Sequence, residues 1–469
     1  MVQGVEVEDG KLVVKNPASG EEVGRVPMTT PEELDSIVAK AKAAQLAWSL
    51  KPLKERSELI KAACKKLGEV QEDLQNIIVA EMGKVITEAR SEVEGVVDRD
   101  AWIDLVVQAN EPVVLDGGKS TVYRQPHGVV ALCTPWNFPA DEIMALAAPA
   151  LIAGNTIVVK PSEVTPLTGA KVLEALLAVL PDGVANLVQG DGTVGAPLVN
   201  HKDVDMVGMT GSAATGKKIM QACSSDLKRL VLELGGKDPM VVFADADLDK
   251  AADDAVVYSI ENCGQVCCAV ERIYVDDKVK ANFEKLVVEK ASNLKVGPGS
   301  NLESNVGPMV SKMQREHVQR HVEEAIKSGA KELYKSSVPE GSGNWFPVTV
   351  LSDITQDMLI QKEETFGPVV AIAGFDGTDE AAITLSNDTE YGLTASVYSK
   401  DIPRATRICQ LIKAGQVGVN SNPFPTADAS CPWVGRGASG FGYHSGPDGW
   451  RQFSMPQSIC STEALPLSG

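Results

Sequence analysis

The stretch GVVALCTPWNFPADEIMALAAPALIAGNTIVVK, residues 128–160, contains a short apolar run, a helix-length segment and a second apolar run. Further short apolar runs follow as ANLVQG, VDMVGM and RLVLEL, and helical segments lie between them. Continuous apolar strands that alternate with helices indicate a parallel sheet covered on both faces. The sequence therefore predicts an α/β fold in which ligands bind to the loops that follow the strands.

The rest of the chain contains a second α/β segment and two outlying pieces. The second segment begins near Lys237 with KDPMVVFADADLDKAADDAVV and continues to about Gly446. Before the first segment, Thr30 opens the sequence TPEE, a capping box with proline at the first helical position, which predicts a helix. Two strand-like pieces, residues 119–126 and 451–461, belong to neither segment. Such arms often pair across a subunit interface, so we expect several copies to assemble.

Length and charge exclude several classes of protein. The chain has 469 residues, enough for two or three domains, and 44 basic against 63 acidic side chains give a net charge of −19. This negative charge disfavours nucleic acid and anionic membranes as partners. The sequence contains no apolar run long enough to cross a bilayer, and its acidic start does not resemble a signal peptide. We expect a cytoplasmic protein, or an organellar one if a targeting peptide has been removed.

The nine cysteines are odd in number and scattered, and no two of them form a C-x-x-C pair. A disulfide framework or a metal site is therefore not expected. His317 and His321 stand four residues apart, but the glutamate of H-E-x-x-H is missing and charged neighbours predict a solvated helix face. Cys267 and Cys268, in GQVCCAVER (264–272), leave three alternatives: a nucleophile, metal ligands or buried small side chains.

A candidate phosphate-binding turn follows the run VDMVGM. The segment TGSAATGKK, residues 210–218, joins a Gly-Ser turn to the start of a helix and contains Gly211, Ser212 and Gly216. Free N–H groups and the helix dipole suit an anion such as a pyrophosphate, and an ordinary tight turn is the alternative. The segment is not a nucleotide-binding P-loop, because Lys218 stands where serine or threonine would hold Mg²⁺.

A second candidate contact with a nucleotide follows another strand of the same predicted sheet. The sequence VVKPSEVTP places Lys160 and Glu163 just after that strand. A lysine and a glutamate at this place are suited to hydrogen-bond the two ribose hydroxyls of an adenosine. A solvated loop pair is the alternative.

Seven motifs occur in the order that is typical of one enzyme family. They are TPWNFP (134–139), KPSE (160–163), TGS (210–212) followed by Gly216, ELGGKDP (233–239), GQVCC (264–268), EETFGPV (363–369) and SGFG (439–442). With them the chain resembles the aldehyde dehydrogenase superfamily of the NAD(P)-dependent, non-phosphorylating, hydrolytic type. The resemblance implies a Rossmann-like cofactor domain (1–107 and 127–236), an α/β catalytic domain (237–446) and a strand arm for oligomerisation (108–126 and 447–469). It also implies a homodimer or homotetramer that acts on a small aldehyde.

The resemblance further implies the catalytic groups. In the pattern G-Q-x-C the nucleophile is Cys267, whose thiolate adds to the aldehyde carbonyl, and Cys268 is a packed neighbour. Asn137 and the backbone N–H of Cys267 are the expected donors to the oxyanion. Glu233 is the expected base that activates water to hydrolyse the thioester, with a pKa raised by burial.

NAD is the expected cofactor, with NADP as the alternative. By resemblance, Trp136 contacts the adenosine side, Glu364 holds the nicotinamide ribose and Phe366 flanks the ring. Gly235 is expected to let the nicotinamide pass close to the backbone. The other expected contacts are Lys160, Glu163, Gly211, Ser212 and Gly216. A carboxylate at Glu163 would accept the 2′ hydroxyl of NAD and repel the 2′ phosphate of NADP.

Four residues depart from the usual pattern of the family. They are Asp141 and Glu142 after NFP, Glu261 ahead of CGQ, and His444 in GYH, where relatives often have GRE. The first three fall in regions that border the substrate tunnel of relatives. Carboxylates there would disfavour long apolar aldehydes and favour cationic or polyhydroxylated ones; the alternative is that they face solvent.

Three other functions are weighed against this one. A CoA-acylating semialdehyde dehydrogenase would use the same cysteine but typically lacks the base, so Glu233 speaks against it. A structural, non-catalytic member of the superfamily would be expected to have lost Cys267, Asn137 or Glu233. A cysteine hydrolase needs a histidine partner, and none of the five histidines lies in a recognisable pairing motif.

Overall fold

The computed structural model describes residues 5–443 and 445–465, so His444 lies outside the described residues. The strands are β1 Glu6–Glu8, β2 Lys11–Lys15, β3 Glu22–Pro27, β4 Val113–Leu115, β5 Ser120–Pro126, β6 Val129–Cys133, β7 Thr156–Lys160, β8 Ala185–Leu187, β9 Met206–Gly211, β10 Arg229–Leu234, β11 Asp238–Val242, β12 Val270–Asp276, β13 Lys331–Lys335, β14 Thr349–Ser352, β15 Val369–Phe375, β16 Thr394–Tyr398, β17 Gln416–Val419, β18 Gly440–Phe441 and β19 Ser454–Cys460. The helices are α1 Pro31–Ser49, α2 Leu53–Glu69, α3 Gln71–Glu81, α4 Ile86–Val97, α5 Asp100–Asn110, α6 Asp141–Ile152, α7 Pro166–Leu177, α8 Gly192–Asn200, α9 Ala213–Cys223, α10 Leu248–Ile260, α11 Lys280–Ala291, α12 Lys312–Lys327, α13 Leu359–Lys362, α14 Asp379–Asn387, α15 Ile402–Cys409, α16 Pro423–Thr426 and α17 Gly446–Trp450.

The stretch quoted first folds as β6, α6 and β7, in a six-stranded sheet of order β18-β10-β9-β6-β7-β8. Strands β10, β9, β6, β7 and β8 are parallel neighbours, and β18 adds an antiparallel edge to β10. All residues of β7 and all of α6 after its first two are buried. A strand covered on both faces and a helix apolar on all sides require such burial, and the predicted α/β fold is confirmed.

The second segment forms a seven-stranded sheet of order β13-β14-β15-β12-β11-β16-β17. Its strands are parallel except for the antiparallel edge strand β13. Strand β12 is buried over its whole length and follows directly on the cysteine segment 264–268. Strand β10 ends in the first sheet and β11 begins in the second, so the motif ELGGKDP joins the two sheets.

Near the N-terminus, the predicted helix forms with its capping box. Thr30 Oγ1 accepts from the N–H of Glu33 at 3.2 Å, and Glu33 Oε2 accepts from the N–H of Thr30 at 2.8 Å. The antiparallel sheet of β1, β2 and β3 was not predicted. These strands are short and carry exposed charged residues, which weakens their apolar pattern.

The two outlying pieces pair with each other. Strand β19 is antiparallel to β5 along its whole length, and β4 adds a third strand. Because β19 and β4 are the edge strands of this sheet, the expectation that the arms also pair across a subunit interface stays a prediction. The sheet leaves apolar side chains exposed at Val113, Val114, Leu115, Met455 and Ile459.

Membrane-spanning helices and metal-binding clusters are not seen in the described part of the chain. None of the helices in residues 5–443 and 445–465 is long and apolar enough to cross a membrane. Within the same ranges, no group of three or more histidine, cysteine, aspartate or glutamate residues is arranged to hold a metal ion.

Candidate active site

A sharp turn presents the cysteine segment. Residues 262–264 follow helix α10 with φ values of 52°, 58° and 69°, in the left-handed region that favours glycine. For the two residues that are not glycine, this conformation costs about 1–2 kcal/mol each. Gln265 braces the turn, since its Nε2 donates to the carbonyl of Asn262 at 3.0 Å and its Oε1 accepts from the N–H of Val310 at 2.9 Å. The turn thereby fixes the backbone that leads to Cys267.

Cys267 lies partly exposed in an apolar cluster that includes Phe138 and Trp433, and Cys268 is buried beside it. The hydrogen bond with Cys268, burial and the nearby carboxyl of Glu233 raise the pKa of the Cys267 thiol well above its ordinary value. The thiol is therefore protonated at neutral pH in this state of the site. Reaction as a thiolate requires that the local charge change or that a base take the proton.

Glu233, near the end of β10, is 4% exposed. Its Oε1 accepts from the indole Nε1 of Trp433 at 2.9 Å, while Oε2 is buried and finds no hydrogen-bond partner among the described residues. Burial and then the carboxyl group of Glu142 raise the pKa of Glu233 to about 8, against the opposite effects of Trp433 and the nearby Cys267 thiol. A carboxylate of this pKa can take a proton from water near neutral pH. No sequence pattern pointed to Trp433.

Asn137 lies in the loop between β6 and α6 and is 5% exposed. Its Nδ2 donates to the carbonyl of Gln265 at 3.1 Å. In return, Nδ2 of Asn262 donates to the carbonyl of Asn137 at 3.0 Å. These two hydrogen bonds join the PWNFP loop to the cysteine turn, so the amide of Asn137 is held beside the segment that carries Cys267.

A buried ion pair that the sequence did not reveal supports the same loop. Lys84 Nζ lies 2.6 Å from Glu92 Oε2, and both side chains are fully buried. Glu92 Oε1 accepts from the N–H of Ala140 at 2.9 Å, and Lys84 Nζ lies 3.7 Å from the ring centre of Phe138. Breaking such a pair by removing one partner leaves a buried charge, at a cost of about 3–5 kcal/mol.

The carboxyl group of Glu364 fills the space beside the glycines of ELGGK. A Cβ at Gly235 would lie 2.4 Å from the Glu364 oxygens, and the N–H of Gly236 donates to Glu364 Oε1 at 3.0 Å. A Cβ at Gly236 would lie 2.4 Å from the carbonyl oxygen of Cys267. The expected approach of a nicotinamide to Gly235 stays a prediction, and in the structure the close approach there is made by a side chain of this chain. Burial raises the pKa of Glu364 to about 8.

Glu271 and Lys237 hold the loop that carries Glu364 and Phe366. Glu271 Oε2 accepts from the N–H of Thr365 and Oε1 from the N–H of Phe366, both at 2.8 Å. Lys237 Nζ contacts Glu271 Oε2 at 2.5 Å, and both residues are buried. This clamp keeps Phe366 at a φ of 53°, a strained value for an aromatic residue. The residues of this clamp are distant in sequence, so no sequence motif predicted it.

Trp136 and Phe366 are in edge-to-face contact, with ring centroids 5.4 Å apart and an interplanar angle of 86°. The adenosine and nicotinamide ends of an extended dinucleotide lie far apart, so two touching rings cannot serve both ends. The predictions that Trp136 contacts the adenosine side and that Phe366 flanks the nicotinamide therefore cannot both hold, and neither is tested by this contact. The ring of Trp136 lies directly beside the ring of Phe366.

The predicted phosphate-binding turn has the expected local geometry. Strand β9 ends at Gly211, and Ser212 caps α9 by accepting from the N–H of Thr215 at 3.3 Å. A Cβ at Gly216 would lie 2.7 Å from the side chain of Leu234, so glycine is needed where α9 packs on β10. The first N–H groups of α9 thus lie at the carboxyl end of the sheet, which suits the phosphates of a dinucleotide.

Lys160 and Glu163 lie at the carboxyl end of β7. Lys160 Nζ donates to the carbonyls of Pro161 at 2.8 Å and Gly190 at 2.9 Å, and Glu163 Oε2 lies 3.6 Å away. The side chains are 9% and 15% exposed, so a solvated loop pair does not describe them. An ammonium group and a carboxylate held together beside a helix start fit the ribose of a nicotinamide dinucleotide.

Two of the carboxylates that depart from the family pattern have different surroundings. Asp141 forms an ion pair with the buried guanidinium of Arg99, which offsets its charge. Glu261 is partly exposed; burial raises its pKa and Lys84 acts in the opposite direction. Glu261 also raises the pKa of Cys268, so its negative charge reaches the cysteine segment.

The third departing carboxylate, Glu142, lies closer to the candidate base. Thr210 Oγ1 donates to Glu142 Oε2 at 2.9 Å. The charge of Glu142 raises the pKa values of both Glu233 and Cys267. Glu142 therefore contributes to the negative potential around the cysteine segment and does not simply face solvent.

The prediction that His317 and His321 lie on a solvated helix face is wrong for His321. This residue is fully buried, and its Nδ1 lies 3.1 Å from Thr365 Oγ1. His317 Nε2 lies 2.9 Å from the carbonyl oxygen of Glu364. Helix α12 therefore packs both histidines on the 364–366 loop, and burial lowers the pKa of His321 to about 2.

Comparison with known proteins gives consistent matches over nearly the whole chain. The model of the aldehyde dehydrogenase family matches residues 5–459. The chain is 36% identical over 456 residues to betaine aldehyde dehydrogenase of Bacillus subtilis, covering 95% of this chain and 92% of that protein. It is 34% identical over 464 residues to the NADP(+) succinate-semialdehyde dehydrogenase of Escherichia coli, covering 97% and 95%. Betaine aldehyde dehydrogenase of Staphylococcus aureus in complex with NAD+ matches with a TM-score of 0.91 at 32% identity, covering 99% and 95%.

Proposed function

The chain belongs to the aldehyde dehydrogenase family, and from this membership we propose how its own residues carry out the reaction. It is an NAD(P)-dependent aldehyde dehydrogenase, which oxidises an aldehyde to a carboxylic acid. One observation carries the assignment of roles. The buried carboxyl of Glu233 keeps one oxygen without a hydrogen-bond partner in the described ranges, and the partly exposed thiol of Cys267 lies beside it.

Cys267 loses its thiol proton to solvent and adds as a thiolate to the aldehyde carbon, forming a carbon–sulfur bond and an oxyanion. Asn137 donates one N–H to Gln265, and its second N–H is assigned to the oxyanion together with the backbone N–H of Cys267. A bound NAD or NADP would supply the acceptor for the hydride of this carbon. Glu233 then takes a proton from the water that attacks the resulting thioester, and the acid is released.

The cofactor would be held by residues from both sheets. The N-terminus of α9 is assigned to the phosphates, and Lys160 and Glu163 to the adenosine ribose. Glu364 and Phe366 are assigned to the nicotinamide ribose and ring. In support of this, the loop of Glu364 and Phe366 is fixed by a clamp that needs no ligand, so it is ordered before binding.

Glu163→Gln is expected to raise the use of NADP relative to NAD by about tenfold. A carboxylate at the 2′ position repels a phosphate, whereas a neutral amide does not. A tenfold change corresponds to ~1.4 kcal/mol of differential transition-state stabilisation. The measurement is kcat/KM with both cofactors, and Glu174→Gln, at an exposed glutamate of α7, is the control. An unchanged ratio would mean that Glu163 does not lie beside the 2′ position.

We further propose that the substrate is a short aldehyde bearing an amino or other cationic group. Glu142 and Glu261 bring negative charge to the cysteine segment. Beside it, Phe138, Phe424 and Trp433 form a chain of ring contacts with centroid separations of 6.3 and 6.0 Å. Aromatic faces with nearby carboxylates attract a cation and disfavour an anion. The cationic aldehyde in the name of the Bacillus relative suits this site better than the anionic semialdehyde of the Escherichia relative.

A charge series of similar aldehydes tests this proposal. The expected order of kcat/KM is 3-aminopropanal, then butanal, then succinate semialdehyde, with about fivefold between neighbours. Partly screened pairs are worth up to ~1 kcal/mol each, which sets this size. The differences in kcat/KM between these aldehydes should become smaller with added salt and in Glu261→Gln. The kcat/KM of butanal should change little. Hexanal or succinate semialdehyde as the best substrate at low ionic strength would contradict the proposal.

The division of the chain and its assembly are also proposals. Residues 1–107 and 127–236 are assigned to cofactor binding, 237–446 to catalysis, and 108–126 with 447–469 to a homodimer or homotetramer. The sheet β19-β5-β4 supports assembly, because both edge strands expose apolar side chains. A single-chain mass in sedimentation equilibrium would contradict it. A cytoplasmic location stays a prediction.

A further inference from the structure

Helix α6 places an acidic side chain next to the candidate base. Glu142, the second residue of α6, accepts a hydrogen bond from Thr210 Oγ1 at 2.9 Å. Thr210 lies on β9 and is the direct register partner of Glu233 on the parallel strand β10. Register partners on neighbouring strands project side chains on the same face of a sheet. The hydroxyl that fixes Glu142 is therefore the immediate neighbour of the Glu233 side chain.

These three residues lie at different depths. Glu233 is 4% and Thr210 6% exposed, while Glu142 is partly exposed. A proton that Glu233 takes from water is thus received by a buried group. Glu142 is the neighbouring proton acceptor that is also in contact with solvent, so it can transfer that proton from the buried site to solvent.

The raised pKa of Glu233 agrees with a proton that is shared between Glu233 and Glu142. After burial, the charge of Glu142 is the largest cause of the raised pKa of Glu233. Two carboxyl groups in such proximity titrate as a pair, because a charge on one disfavours a charge on the other. Other groups that act on this pair include Cys267, Asp238 from β11, Glu364 from the 364–366 loop, and Arg99 just before α5, which interacts with Glu142.

We propose that Glu142 accepts the proton that Glu233 has taken from the hydrolytic water and passes it to solvent. The inference rests on the proposed roles of Cys267 and Glu233. It assigns to Glu142 a part in turnover rather than only in attracting a cationic substrate.

Water gives one proton to Glu233 while its oxygen bonds to the acyl carbon, the carbon–sulfur bond breaks, and sulfur leaves with the electron pair as the Cys267 thiolate. The carboxylic acid loses its own proton to solvent. The proton on Glu233 moves to Glu142 and then to solvent, which restores the Glu233 carboxylate for the next acyl group.

An activated ester tests the step without any cofactor. The Cys267 thiolate is acylated by 4-nitrophenyl acetate, releases one 4-nitrophenolate, and must then be freed by the same hydrolysis. In Glu142→Gln the burst is expected to keep its size of one per active site and not to slow, since loss of the Glu142 charge lowers the pKa of the Cys267 thiol. The steady rate after the burst should fall about 10- to 100-fold, because proton transfer out of the site is lost.

The pH profile separates this role from a structural one. Loss of the Glu142 charge lowers the pKa of Glu233 and should move the midpoint of the deacylation rate below about 8. Misfolding would lower the burst and leave the midpoint in place. Thr210→Ser, which keeps the hydroxyl, should behave as the parent chain, and Thr210→Val should show part of the Glu142→Gln defect.

The chain offers a closely matched control. Helix α14 also begins with aspartate and glutamate, and its Glu380 is exposed at the position that corresponds to Glu142 in α6. Glu380→Gln should leave the burst, the steady rate and the midpoint unchanged. A steady rate in Glu142→Gln equal to that of the parent would overturn the proton transfer. If Cys267→Ala releases 4-nitrophenolate as fast as the parent, the assignment of Cys267 and Glu233 fails instead.

Discussion

Cys267→Ala is expected to lower aldehyde oxidation by ~10⁴-fold or more, because no covalent adduct with the aldehyde can form without the sulfur. The residue lies in a small cluster at the surface of the site and is partly exposed, so its loss should not disturb the core. Cofactor binding, followed by quenching of tryptophan fluorescence on addition of NAD, is expected to persist. Production of NADH is the measurement of activity.

The neighbouring thiol provides the control for this prediction. Cys268 is buried, and its hydrogen bond with Cys267 is the first cause of the raised pKa of Cys267. Cys268→Ala should therefore keep most of the activity and move its dependence on pH toward lower values. Equal losses of activity in the two variants would contradict the assignment. They would show either that Cys267 is not the nucleophile or that both cysteines take part in the reaction.

The sequence predicted those parts of the fold and site that are encoded locally. The alternation of apolar runs and helices in residues 128–160 depends on nearby residues, and so does the capped turn at 210–218. Both have the predicted form. The residue types at Asn137, Glu233 and Cys267 also follow from short motifs, and the structure brings their segments together.

The contacts that hold the site depend on residues far apart in the chain. Trp433 reaches Glu233 across 200 positions, and Glu271 reaches Phe366 across 95. Such pairs leave no periodic or spacing signal, so no local pattern predicts them. The same reason explains the misplacement of His321, whose charged neighbours in sequence do not reveal the loop on which it packs.

One expectation from the family pattern concerns a glycine that a side chain of this chain approaches closely. Gly235 was assigned to a passing nicotinamide, which stays a prediction, and in the structure its missing side chain makes room for the carboxyl of Glu364. A nicotinamide that passes Gly235 would share this space with Glu364. The raised pKa of Glu364, about 8, means that it is largely protonated at neutral pH, which lowers the cost of moving it.

Glu233→Gln is expected to leave acylation intact and to slow hydrolysis by ~10²- to 10⁴-fold, the usual contribution of a general base. Glutamine keeps an oxygen for the indole N–H of Trp433, so the geometry should survive. Removing the Glu233 charge also lowers the pKa of the Cys267 thiol, because that charge is one cause of its raised value. Rapid mixing should then show a burst of about one NADH per active site followed by slow turnover.

The pH dependence of this variant completes the test. In the parent chain the hydrolytic rate should rise as pH passes through about 8, because only the deprotonated carboxyl of Glu233 accepts a proton from water. Below that pH the base is protonated and the rate falls. Glu233→Gln should lose this rise and accumulate an acyl-enzyme that intact-mass spectrometry detects as the protein mass plus the acyl group. A variant with no burst, no accumulated acyl-enzyme and the rate and pH profile of the parent would show that another group activates the water.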